Sequence, residues 1–113
     1  MKRTHCTATA LIYSGRPDPE WELDNKQLET LKRIWQQLPP SKIAPPSPPP
    51  LGYRGAVIRC DSGEEWFAYR NIVTFKLGAS RPKHGVDDQR RFEQTLLGTA
   101  PVSALPAGFR IPL

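Results

Sequence analysis

The stretch Tyr53-Arg54-Gly55-Ala56-Val57-Ile58-Arg59-Cys60-Asp61-Ser62-Gly63-Glu64-Glu65-Trp66-Phe67-Ala68-Tyr69-Arg70-Asn71-Ile72-Val73-Thr74-Phe75 holds two runs of β-branched and aromatic residues around a polar break. Tyr53 to Cys60 reads as one strand. Glu65 to Phe75 reads as the next, with an irregularity at Arg70-Asn71. Asp61-Ser62-Gly63 supplies a turn, so the two runs are expected to form an antiparallel hairpin.

Working outward toward the N-terminus, residues 39–50 carry seven prolines in Pro39-Pro40-Ser41-Lys42-Ile43-Ala44-Pro45-Pro46-Ser47-Pro48-Pro49-Pro50. Such a run favours an extended, self-solvated polyproline II chain, at about 3 Å per residue. Before it, Leu28, Leu31, Ile34, Trp35 and Leu38 follow a helical stripe. Asp24 is its expected N-cap, with Gln27 completing a capping box and Leu23 and Leu28 forming a hydrophobic staple. Pro39-Pro40 stops the helix. Further back, Thr7 to Tyr13 reads as a strand, with Ala8, Ala10 and Ile12 on one face. Ser14-Gly15 ends it, and Arg16-Pro17-Asp18-Pro19 must run extended or turned.

Beyond the hairpin, residues 78–86 read as a polar, basic loop containing Gly78, Pro82 and Gly85. A second helix is expected from Asp87 or Asp88, burying Phe92, Leu96 and Leu97 and stopping near Gly98 ahead of Pro101. The expected order is β-α-β-β-α. The expected fold is α+β: a three-stranded, largely antiparallel sheet with both helices on one face and a proline-rich connection. One domain spans 1–100 with the 39–50 connector inside it, and 101–113 forms an extended C-terminal tail.

The chain has 113 residues, which suits one domain with one thin core and little room for a deep enclosed site. The net charge of +5 is dispersed, with six basic and five acidic residues in 1–38 and ten basic and six acidic in 39–113. That excess eases contact with an acidic partner without demanding nucleic acid. No apolar run approaches the length of a membrane span, and no apolar core of a secretory signal follows Met1-Lys2-Arg3, so a cytoplasmic protein is expected.

Tyr13-Ser14-Gly15-Arg16-Pro17-Asp18-Pro19-Glu20-Trp21 and Leu51-Gly52-Tyr53-Arg54-Gly55, followed by Arg91-Phe92-Glu93 and Leu96-Leu97, resemble a small family of proteins whose activity is not established. Its members look like Y-S-G-R-P-N-P-x-W near the start and L-G-Y-R-G after a proline-rich gap, closed by a helix with paired leucines. The resemblance covers most of residues 11–100, and this chain departs from it in carrying Asp18 where Asn is usual. It implies one fold for the whole chain and no catalytic residue, and it singles out Arg16, Trp21, Tyr53 and Arg54.

Those four residues are the candidate ligand or partner site. Arginine forks bind carboxylate or phosphate, and the aromatic rings would wall a pocket. The competing and favoured assignment is structural: Trp21 plugging the sheet edge, Arg16 tying loop carbonyls, and Tyr53 packing on the first helix. His5, Cys6, Cys60 and His84 lack ligand spacing, so no metal and no cofactor is expected. A buried thiol and solvated imidazoles are the plainer assignment, and the sequence leaves open whether Cys6 and Cys60 bond. Cys60 with His84 as nucleophile and base has no third orienting group. Glu64-Glu65 flanks the turn and Asp87-Asp88 starts a helix, where the dipole favours negative charge.

Arg54, Arg59, Arg70, Lys76, Arg81, Lys83, Arg90 and Arg91 with Tyr53, Trp66 and Tyr69 admit single-stranded nucleic-acid binding, without an RNP-type run. The connector admits docking into an aromatic groove through Lys42, Pro45, Pro46 and Pro48, or presentation of Lys42 to a trypsin-like protease; a rigid connector is the plainest assignment. The expectation is therefore a non-catalytic accessory or interaction protein that binds a protein or peptide through its sheet face or its proline segment. A small enzyme or anion-binding protein and a nucleic-acid binder are the alternatives, with oligomeric state open.

Overall fold

A computed structural model describes residues 5–13, 15–49, 52–106 and 109. The expectations that fall on Met1-Lys2-Arg3, Ser14, Pro50, Leu51 and most of the tail beyond Pro106 lie outside the described residues.

Among the described residues the sheet has six strands, where three were expected: β1 (Cys6–Ala10), β2 (Glu20–Glu22), β3 (Ala56–Cys60), β4 (Glu64–Tyr69), β5 (Ile72–Leu77) and β6 (Lys83–Val86). With α1 (Asn25–Gln37) after β2 and α2 (Arg91–Gly98) after β6, the order is β-β-α-β-β-β-β-α. Every pairing is antiparallel, and the strand order is β2-β1-β3-β4-β5-β6.

Three local facts account for the added strands. Arg70 and Asn71 both take positive φ, 46° and 67°, so they form a two-residue hairpin turn between Tyr69 and Ile72. That left-handed pair matches the twist of the flanking strands. Asn tolerates the conformation far better than Arg, which is why the sequence looked like one irregular strand there. Lys83–Val86, expected as loop, pairs with β5 from Ile72↔Val86 to Phe75↔Lys83. The three residues of β2 are too few to show periodicity; they pair with Thr7, Ala8 and Thr9, and the pairing sets Trp21 in the core cluster.

The inner face of the sheet is floored with small residues. Ala8, Ala10, Ala56 and Ala68 are fully buried, and Ile58, Trp66 and Val73 rise between them. Leu28, Leu31 and Ile34 of α1 join Phe92, Leu96 and Leu97 of α2 in one cluster with these residues, so both helices lie on this face. Glycine lets α1 sit close at its end: a Cβ on Gly85 would stand 3.0 Å from both the Leu38 Cβ and the Trp35 Cζ3. Gly55, just before β3, has φ of 111°, and a Cβ there would meet the Phe67 ring at 2.7 Å and the Ala68 carbonyl oxygen at 2.9 Å. Only glycine enters β3 along that path.

Helix α1 begins as its sequence requires. The Asp24 carboxylate accepts from Gln27 N at 2.7 Å, and Gln27 Oε1 accepts from Asp24 N at 3.0 Å. Helix α2 starts later than expected. A 3₁₀ turn at Asp88–Arg90 precedes it, with Gln89 and Arg90 left-handed at φ of 57° and 56°. The buried Asp87 carboxylate reaches across this elbow to accept from Phe92 N at 2.8 Å and Glu93 N at 3.1 Å. After α2 the described part of the tail turns back, and Ala104, Leu105 and Phe109 pack against the core.

Candidate functional site

The proline-rich connector begins as a sheet edge. Val86 N donates to Pro39 O at 2.7 Å and Ser41 N to His84 O at 2.9 Å, with Pro40 bridging Gly85 between them. Proline suits an edge, since its missing N–H faces solvent and blocks further pairing. Ser41 then bends the chain: its hydroxyl donates to Ile43 O at 2.7 Å and accepts from Ile43 N at 3.2 Å. From 44 to 49 there is neither helix nor strand, and every residue is exposed except Pro45, which is half-buried. Lys42, Pro46 and Pro48 are exposed, and Ile43 keeps 67% of its surface in solvent. At its far end the chain enters the sheet again, where Arg54 N donates to Leu11 O at 2.8 Å.

Arg16, Trp21, Tyr53 and Arg54 each hold different partners. Trp21 is buried, and its indole N–H donates to Thr99 Oγ1 at 2.8 Å. The Arg54 guanidinium donates to Tyr13 O at 2.7 Å and lies 3.3 Å from Asp18 Oδ2. The exposed Arg16 stacks on the Tyr13 ring, 3.7 Å from its centroid. Tyr53 donates its hydroxyl to Glu93 on α2, whereas the sequence suggested packing on the first helix. Asp18, where the resembling proteins carry Asn, accepts from Ile12 N at 2.9 Å and Tyr13 N at 2.7 Å and pairs with Arg54. The two quoted motifs thus meet and lock the β1–β2 loop to the start of β3.

Sequence reasoning missed the buried polar cluster Tyr53, Asp87 and Glu93. Glu93 is fully buried, and its Oε1 finds no hydrogen-bond partner among the described residues. Burial pushes its pKa up, against the opposing pull of the Tyr53 hydroxyl and Arg90. Burial also raises Asp87, partly offset by its two backbone donors, and it raises Tyr53 together with the Glu93 bond. The only signal in the sequence was a Glu inside the apolar stripe of α2.

Because both carboxyl groups sit above their usual range, the folded chain keeps protons that the unfolded chain has released. Stability is therefore full below that range and falls as pH rises through the folded-state values. Glu93→Gln keeps an acceptor for Tyr53 and removes the ionisation. It is expected to flatten much of that fall, which begins above the ordinary carboxylate range, in urea titrations across pH. An unchanged pH slope would remove Glu93 as the source.

A cleft of about 550 Å³ lies between the end of α1, the elbow and β6, lined by Ile34, Leu38, Val86, Asp88, Gln89 and Arg91 among others. A second, of about 400 Å³, follows the outer side of α1 past Asn25, Lys32 and Gln36. Tyr53, Asp87 and Glu93 line neither of these two clefts. The cluster ties together the approach to β3, helix α2 and, through the Tyr53–Phe109 ring contact, the tail.

Cys6 faces Cys60 in the β1–β3 register and is bonded to it, in place of the expected buried thiol. A separation of 54 residues hides that pairing from the sequence. His5 bonds Glu22 at 2.7 Å, which holds its imidazole above its ordinary pKa, and His84 Nδ1 bonds Thr74 Oγ1 at 2.8 Å. Trp66 and Tyr69, the rings proposed to stack on bases, are 2% and 3% exposed. Comparison with protein-family models, with curated proteins and with solved structures finds no match to this chain.

Proposed function

We propose that this chain is a non-catalytic interaction protein that offers its proline-rich connector to an aromatic groove on a protein partner. With three residues per turn of polyproline II, Pro45 and Pro48 would share one face and Pro46 and Pro49 the next, with Lys42 at the bend before them. Such a segment loses little entropy on docking because it is already extended. The observation that carries the proposal is the exposure of residues 46–49 on a segment tied at both ends to the sheet. The sheet's other face is the weaker candidate, because Val57, Tyr69 and Ile72 on it are already buried.

No helix among the described residues is long and apolar enough to cross a membrane. The cytoplasmic location expected from the sequence is in tension with the Cys6–Cys60 bond, since lasting disulfides belong to oxidising compartments. In a cytoplasmic setting the pair would stand as opposed thiols.

The 113-residue chain, titrated calorimetrically against purified SH3-, WW- and EVH1-type domains, is expected to bind at least one of them. Combined Pro45→Ala and Pro48→Ala substitutions should weaken that binding by about tenfold or more, or about 1.4 kcal/mol, with an unchanged thermal midpoint. If every domain treats the variant and the parent alike, the proposal fails.

A further inference from the structure

We infer, on the footing of the connector proposal, that the partner's groove is rimmed with carboxylates at the end that receives Lys42, and that the folded sheet edge supplies part of the recognised surface. The pairing of Pro39, Pro40 and Ser41 with Val86, Gly85 and His84 runs antiparallel, so the next residue beyond the pairing is a lysine on each side, Lys42 after Ser41 and Lys83 before His84, with Arg81 two residues beyond Lys83. All three cations are exposed, and none takes part in an ion pair among the described residues. Other cations are paired, in Lys32–Glu64, Arg33–Glu29, Arg54–Asp18 and Arg59–Glu65.

Ser41 holds the bend at Lys42 through both of its bonds to Ile43, so the cation and the first proline leave the edge in a set direction. A ligand held this way loses less freedom on binding than a free peptide of the same sequence. Unpaired charge at one end of an apolar proline ladder selects a groove that is acidic at one end and aromatic along its length, and it fixes the direction in which the ladder lies.

The test uses the SH3-type domain that binds the full chain most tightly, in parent form and with its rim Asp and Glu changed to Asn and Gln. Arg81→Gln combined with Lys83→Gln is expected to weaken binding to the parent domain by about tenfold at low salt, with an unchanged thermal midpoint, and the loss should shrink as salt rises. A synthetic peptide of residues 41–50 should bind more weakly than the full chain by a similar factor. Neutralising the rim should abolish the difference between the chain and its charge variant.

If the charge variant or the peptide binds as well as the full chain while Pro45→Ala with Pro48→Ala still abolishes binding, this inference fails and the connector reading stands. If the proline changes have no effect, both fail. Tight, salt-sensitive binding of a single-stranded oligonucleotide that the same charge changes remove would assign the cations to nucleic acid and overturn the inference.

Discussion

Replacing Phe92 by alanine is expected to lower the unfolding free energy by about 3–5 kcal/mol, the range for a fully buried phenylalanine. Phe92 has no exposed surface and sits where α2 meets β3 and β4. The cost of a cavity depends on how far its walls can relax. Much of the floor here is Ala56 and Ala68, on strands held by their ladder bonds, and alanines have no side chain to swing into the gap. The loss should therefore fall toward the upper part of the range, while Phe92→Leu should cost less than about 1.5 kcal/mol. A domain of this kind holds only about 5–15 kcal/mol in total, so the alanine variant should unfold at a much lower urea concentration. A loss below about 1 kcal/mol would mean that α2 is not seated on the sheet in solution.

Breaking the Cys6–Cys60 bond, by reduction or by Cys60→Ser, is expected to cost about 2–5 kcal/mol. The bond closes a loop across a separation of 54 residues, and on the loop-entropy account that restrains the unfolded chain by about 4 kcal/mol. It also bears on the connector. β3 follows the connector directly, and the bond staples β3 to β1 while the β6 edge holds the other end at Pro39 and Ser41. Reduction should thus loosen one anchor of the presented segment and leave the edge pairing at the other in place. Urea titrations with and without dithiothreitol measure the cost. Coincident transitions would show that the two thiols stand opposed without a bond, as a reducing compartment requires.

The connector was legible before any coordinates, since seven prolines within 39–50 admit few conformations. The Asp24–Gln27 capping box was legible for a related reason, because both partners lie within one turn of each other. The Asp61-Ser62-Gly63 hairpin was equally plain. The Arg70-Asn71 turn was not, because an arginine at positive φ carries no sequence signal and is held there only by the strands on either side. The elbow at Gln89 and Arg90 escaped notice in the same way; it exists because Asp87 reaches past it to cap α2.

Short-range chemistry therefore wrote the helices, one hairpin and the proline segment into the chain. Tertiary packing decided the rest: six strands instead of three, the union of Cys6 with Cys60, the Tyr53–Glu93 tie, and the seating of Pro39–Ser41 along β6. Each of these joins residues far apart in sequence or holds a backbone angle that its residue would not choose alone. Their energies come from burial and cross-strand register, quantities that a local window of residues does not contain.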